Sequence, residues 1–118
     1  MNSKVVQKYL AKKIEELSSA NKKRRDELLN KIEEVRLIFA QYPSVQKAWL
    51  FGSILNKEFF NERSDVDIAI QGIDNRSYFG LYANLSEILG ENLDLVEIEK
   101  ISWAEDILAE GLLIYEKK

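Results

Sequence analysis

The sequence predicts an α/β (α+β) layer, a small sheet with helices packed on one face and further helices ahead of it. Three observations carry this. Apolar residues recur at helical spacing over residues 3–17, over Leu28, Ile32, Val35 and Phe39, and over Ser77–Leu89. Short runs of strand formers, Gln46–Phe51, Asp65–Ile70 and Leu93–Ile98, alternate with the later helix. Gly52, Gly72, Gly90 and Gly111 punctuate the joints.

Taken in order, Leu10, Ile14 and Leu17 predict an amphipathic helix over residues 3–17. Ser18-Ser19-Ala20-Asn21 interrupts it and offers N-caps for a second helix, as a turn or as the middle of one long helix. The second helix carries Leu28, Ile32, Val35 and Phe39 on one stripe and stops before Pro43. Gln46–Phe51 is the first strand and ends at Gly52. Asp65–Ile70 is the second, followed by Gly72 and an Asp74-Asn75 turn. Ser77–Leu89 is a helix with Phe79, Tyr82, Leu85 and Leu89 on its packed side and Gly90 as its stop. Leu93–Ile98 is the third strand, Trp103–Glu110 a short helix capped by Ser102 and closed by Gly111, and Leu112–Tyr115 a last strand. This divides the chain into a helical extension, residues 1–42, and a compact α/β unit, residues 43–118.

Composition excludes several chemistries. At 118 residues, 46% hydrophobic and 31% charged, the chain builds one domain with a real core. It has no cysteine, hence no disulfide and no thiolate metal site. It has no histidine, which removes the commonest general base, any Ser-His or Cys-His nucleophile pair and the usual zinc ligands. Any metal is therefore held by oxygen, which favours magnesium, manganese or calcium. The absence of a long apolar run or a signal-peptide core makes a cytoplasmic protein, away from membranes, the expectation. The net charge of −3 hides an asymmetry, since residues 1–40 are rich in lysine and arginine and the remainder is acidic. Lys22-Lys23-Arg24-Arg25 is the densest basic run. It reads first as a solvated helix face and second as an attractor of an acidic surface, with direct nucleic-acid binding disfavoured.

The chemistry concentrates in Trp49–Ile70. Gly52-Ser53 closes the first strand, where glycine admits close approach of a ligand and amides with the Ser53 hydroxyl can hold phosphate oxygens. Alone it is an ordinary turn. Asp65 and Asp67 stand two apart on a strand and so point to one face, while Val66, Ile68 and Ile70 face a core. Aspartates are depleted in strands, and two like charges side by side ask for a cation between them. Asp94 opens the third strand between Leu93 and Leu95 and can join them if the two strands are neighbours. Glu97 and Glu99 are expected to face solvent, and Lys57 and Arg63 are loop charges left outside the site. Trp49 and Trp103 read as core or partner-contacting residues rather than as base-stacking ones.

Gly-Ser after a strand, then Ser-Asp-x-Asp, then a later lone Asp resembles the polymerase-beta-like nucleotidyltransferases. More narrowly the chain is similar to minimal nucleotidyltransferase (MntA-type) antitoxins paired with HEPN-domain toxins, over about residues 44–116 and including NLDLVEIEKISWAEDILAEGLLIY. The resemblance implies a small mixed sheet with Gly52 and Ser53 holding a nucleoside triphosphate. It implies Asp65 and Asp67 as ligands of two magnesium ions, and Asp94 as the third carboxylate or base. It implies transfer of AMP from ATP to a hydroxyl, a tyrosine of the HEPN-type toxin. Two departures fall in the loop Ile54–Ser64: it is one residue longer than the family pattern, and Lys57 stands where a glycine is usual. Two rival readings are a binding module that neutralises its partner by contact through the N-terminal helices, and a small-molecule nucleotidyltransferase working with a separate subunit. The first helix is the candidate for contact with a partner or a second copy of the chain.

Overall fold

The computed structural model describes residues 3–118. Helix α1, Ser3–Leu29, runs without a break through Ser18–Asn21. Serine and asparagine cost only a few tenths of a kcal/mol each in a helix, and the stretch from Asn21 onward is fixed by contacts described below. The chain bends instead at Asn30-Lys31, where the Lys31 N–H bonds the Leu28 carbonyl at 3.1 Å, and α2, Ile32–Ala40, follows. The expected single stripe is thus split across two helices. The bend lets Leu28 from α1 enter the core that buries Val35 and Phe39 from α2. Lys31 Nζ donates to the Ile88 carbonyl and Arg36 Nε to the Ile114 carbonyl, pinning α2 to its neighbours.

Strands β1 (Lys47–Phe51), β2 (Val66–Gln71), β3 (Leu93–Glu97) and β4 (Leu112–Glu116) form one sheet in the order β3-β2-β1-β4. β1 pairs antiparallel with β2 and β4, whereas β2 and β3 run parallel, so the sheet is mixed. The parallel pair is joined by α3, Tyr78–Leu89, which Gly90 terminates at a φ of 94°. α2 and α3 cover one face, burying Val66, Ile68 and Ile70 of β2 against Leu81 and Leu85. Phe79 is not on the packed side of α3 and is exposed, because Leu81 lies on the stripe shared by Leu85 and Leu89 and Phe79 falls about 120° away from its centre.

The opposite face is open only at its acidic end. Its other half is closed by the 3-10 turn Ile98–Lys100 and by α4, Ala104–Glu110, which bury Trp49, Ala69, Ile98 and Ile107 in a second small core. No side chain caps α4: Trp103, not Ser102, holds the cap position, and Glu105 and Asp106 supply the negative charge its first turn favours. Glu97 does not face solvent; its side chain is 12% exposed and pairs with Lys100 Nζ at 2.8 Å. Glu99 is exposed and accepts from the Gly72 N–H. Among the described residues no helix is long and apolar enough to cross a membrane.

Residues 4–19 of α1 are exposed, Val6, Leu10, Ile14 and Leu17 included. Deleting residues 1–18 therefore leaves the cooperative melt of the domain intact. Deleting residues 1–42 removes buried Leu28, Val35 and Phe39 and unfolds it, since each large-to-small loss of this kind costs about 2–5 kcal/mol. Thermal melts of the two truncations check this; an unshifted melt for the longer deletion contradicts it.

Candidate active site

Three strand-borne carboxylates meet at the open end of the sheet. Asp67 stands on β2 with core-facing Val66 and Ile68 on either side, so its own side chain turns to the other face. The parallel register places Asp94 of β3 directly opposite it. Asp65, just before β2, lies near enough for its charge to act on Asp67. Asp67 is half-buried while Asp65 and Asp94 are exposed. Burial first, then the charges of Asp94 and Asp65, push the Asp67 carboxyl up to about 6. Like charges gathered around a partly desolvated carboxylate leave the site short of positive charge.

Asp94 is held in place from behind. Tyr82 donates to the Leu93 carbonyl at 3.1 Å and Tyr78 to the Leu95 carbonyl at 2.5 Å, so α3 grips the edge strand on both sides of Asp94. Burial and the nearby Glu97 and Asp94 charges raise the Tyr78 hydroxyl above its ordinary range, which keeps it a donor.

On the other side of Asp67, β1 ends in Phe51, its antiparallel partner, and the chain turns into a short 3-10 turn, Gly52–Leu55. Gly52 has a φ of +77°, and a Cβ built on it would lie 2.2 Å from Asp67 Oδ2. Glycine is required here twice over, by the left-handed backbone and by the carboxylate packed on it. Ser53 is half-buried in the turn beside it, and no side chain caps that turn. The structure thus brings Gly52, Asp67, Asp94 and Asp65 to one edge, with Ser53 next to them. Among the described residues no three acidic side chains close into a ready-made cation cage. The donor set is nonetheless all oxygen, and its repulsion is the kind a hard divalent cation relieves.

Lys57 and Arg63 are exposed in the loop that joins the two halves of the site. Trp49 is buried in the second core. Trp103 is 42% exposed and meets Phe51 edge-on at 5.5 Å between centroids. With Phe51, Gly52, Leu55, Asp106 and Glu110 it lines a cavity of about 390 Å³ beside the turn. Two further residues lie against the loop beside the site. Arg24 and Arg25 read as a solvated face, yet both bond the loop between Ser53 and Asp65. Their only signal in the sequence is that arginines replace lysines at the end of the basic run.

The family model for polymerase beta nucleotidyltransferases matches residues 30–118, which includes α2, the whole sheet and every carboxylate of the site. The chain belongs to this nucleotidyltransferase family. Solved structures share its fold. The chain is similar to a toxin–antitoxin crystallised with AMP-PNP, at 26% identity over 75% of this chain and 73% of that one, with a TM-score of 0.57. It also resembles a MntA–HpeT toxin–antitoxin mutant, at 20% identity over 74% of both chains with a TM-score of 0.59. A third is a tri-AMPylated Shewanella oneidensis HEPN toxin in complex with MNT antitoxin, at 24% identity over 77% of this chain and 73% of that one, with a TM-score of 0.52. No curated protein sequence matches the chain. The glycine turn at the carboxyl-terminal end of β1 and the three acids at the start of β2 and β3 all lie within the matched residues.

Proposed function

We propose that the chain transfers AMP from ATP to a tyrosine hydroxyl of a HEPN-type toxin and so acts as its antitoxin. The observation that carries this is the Asp67 carboxylate, half-buried between Asp94 and Asp65 with the Gly52 backbone packed on it. Two kinds of relative add support: a similar toxin–antitoxin bound AMP-PNP, and another held an AMPylated HEPN toxin.

Gly52 lets the phosphates approach the backbone, and Ser53 with the uncapped amides of the turn holds their oxygens. Asp65, Asp67 and Asp94 would hold magnesium, which when bound neutralises the triphosphate and polarises the α-phosphorus. Asp94, on the exposed edge strand, faces the incoming acceptor and favours loss of its hydroxyl proton. The acceptor oxygen forms a bond to the α-phosphorus, the bond from that phosphorus to the bridging oxygen breaks, and pyrophosphate leaves with the electron pair. No histidine is needed for this.

The exposed stripe Val6, Leu10, Ile14 and Leu17 is the surface we assign to the partner. An apolar helical stripe left in water is the usual mark of a helix that docks on another protein. It also supports the rival reading, neutralisation by contact without chemistry. Removing residues 1–18 weakens association with the partner in either case, and sizing of the mixture measures it. An ATP-dependent mass gain on the partner separates the two readings, and its absence in a mixture that still associates and neutralises favours contact alone.

A further inference from the structure

We infer that Arg24 and Arg25 of α1 are positioning residues for the nucleotide end of this site, clamping the two roots of the loop that joins Ser53 to Asp65. The inference rests on the function proposed above for those two residues. Gly52 and Asp67 need no such help, because the β1–β2 ladder pairs Phe51 with Asp67 and fixes both. Ser53 and Asp65 lie beyond that ladder, at opposite ends of residues 54–64. The loop's own bonds are local: Asn56 and Asn61 fold it into two turns through their side-chain carbonyls, and Phe59 and Phe60 N–H groups return to the Asn56 carbonyl. Those bonds shape the loop, and backbone bonds hold the chain near each end, Asn56 N–H to the Ser53 carbonyl and Val66 N–H to the Asn92 carbonyl, without joining the two ends to one support.

The arginines tie them. Arg25 Nε donates to the Ile54 carbonyl at 2.7 Å, one residue after Ser53. Arg24 donates through both terminal nitrogens, to the Asn61 carbonyl at 2.6 Å and the Ser64 carbonyl at 3.0 Å, the latter one residue before Asp65. Its guanidinium lies 4.7 Å over the ring of buried Phe60. The Glu62 N–H donates to Asn21 Oδ1 one helical turn earlier. A planar fork that bonds two carbonyls and stacks on a ring is work that lysine cannot do, whereas preceding Lys22 and Lys23 are exposed. Charged donors to carbonyls are stronger than neutral ones, so adjacent residues of one rigid helix set both ends of the loop together. The part of α1 that carries them continues directly into the exposed stripe, so the segment that meets the partner and the segment that sets the loop are one helix.

The test uses the full chain with Arg24→Gln/Arg25→Gln, read by amide hydrogen exchange and by calorimetric titration with AMP-PNP and magnesium. Exchange across residues 54–64 is expected to quicken by about tenfold or more while the amides of β2 stay protected. The Kd for AMP-PNP and the KM for ATP are expected to rise by about tenfold, with a smaller change in kcat. Arg24→Lys keeps the charge but not the fork, and is expected to release the 61–64 end alone. It also decides the matter if the double variant fails to fold. Unchanged loop exchange and unchanged AMP-PNP affinity in a folded variant overturn the clamp. Were the parent chain itself not to bind AMP-PNP, the proposed function would fail, and loop exchange alone would uphold or overturn the clamp.

Discussion

Asp67→Asn is expected to reduce AMP transfer by about 10²–10³-fold or more, the scale for losing one preorganised electrostatic group, while making the ion-free protein more stable. Both effects have one cause. Asp67 is partly desolvated and faces Asp94 and Asp65, so its charge is unwelcome in the folded chain until a cation joins it. Its pKa is raised from 3.8 to about 6 on folding. Between those values the folded state holds more protons than the unfolded one, so stability falls as pH rises through that interval. The asparagine variant does not titrate there. With divalent cations chelated it should melt a few degrees above the parent at pH 8, a difference that shrinks as pH falls and vanishes below about pH 4. The exposure of Asp67 keeps the effect modest, because solvent screens the repulsion. The same sign governs ion binding: protons compete for Asp67 below about pH 6, so magnesium affinity of the parent weakens there. Parallel melts at pH 8 and pH 4 with transfer assays check this, and a variant less stable than its parent at pH 8 would sink the electrostatic reading.

Gly52→Ala should abolish nucleotide binding although it adds a single methyl group. The new Cβ has nowhere to go, with Asp67 Oδ2 2.2 Å from its position, and the φ of +77° is one that residues with a Cβ avoid. Either the Asp67 carboxylate moves, and the metal-binding set with it, or the turn that carries Ser53 moves. Strain of this kind costs about 1–3 kcal/mol in stability, but the greater loss is in affinity for AMP-PNP with magnesium. Gly90→Ala is the matched control. It has a φ of +94° and nothing within 4 Å of the added atom, so it bears the backbone strain without touching the site. Calorimetry should find nucleotide binding kept in Gly90→Ala and lost in Gly52→Ala. Equal affinity in both would reduce Gly52-Ser53 to an ordinary turn.

Much of this site could be read from the sequence because its chemistry breaks local rules. Aspartates at 65 and 67 contradict a strand pattern that Val66, Ile68 and Ile70 otherwise satisfy, and a glycine at 52 interrupts an apolar run. The pairing of Asp67 with Asp94 was conditional on β2 and β3 being neighbours, which depends on sheet order and no local signal supplies. Tertiary contacts decided what the sequence left open or missed. The helix continues through Ser18–Asn21 and bends at Asn30, because packing of Leu28, Val35 and Phe39 outweighs small differences in propensity. Glu97 turned out shielded and paired with Lys100, since the 3-10 turn after β3 folds the lysine back over it. Arg24 and Arg25 looked like part of a solvated charge run because their acceptors, the carbonyls of Ile54, Asn61 and Ser64, lie 29 to 40 residues away. Bonds from a side chain to a distant backbone leave no mark on composition or periodicity.

By the proposed chemistry, this carboxylate site moves AMP onto a partner protein. The direct measurement incubates the full chain with its co-purified HEPN-type partner, magnesium and ATP labelled at the α-phosphate, and follows covalent label and intact mass. Label is expected on a tyrosine of the partner, with mass rising in steps of one AMP, and none of either with Asp65→Asn/Asp67→Asn. Undiminished labelling by that double variant, or full neutralisation of the partner with no label at all, would contradict it.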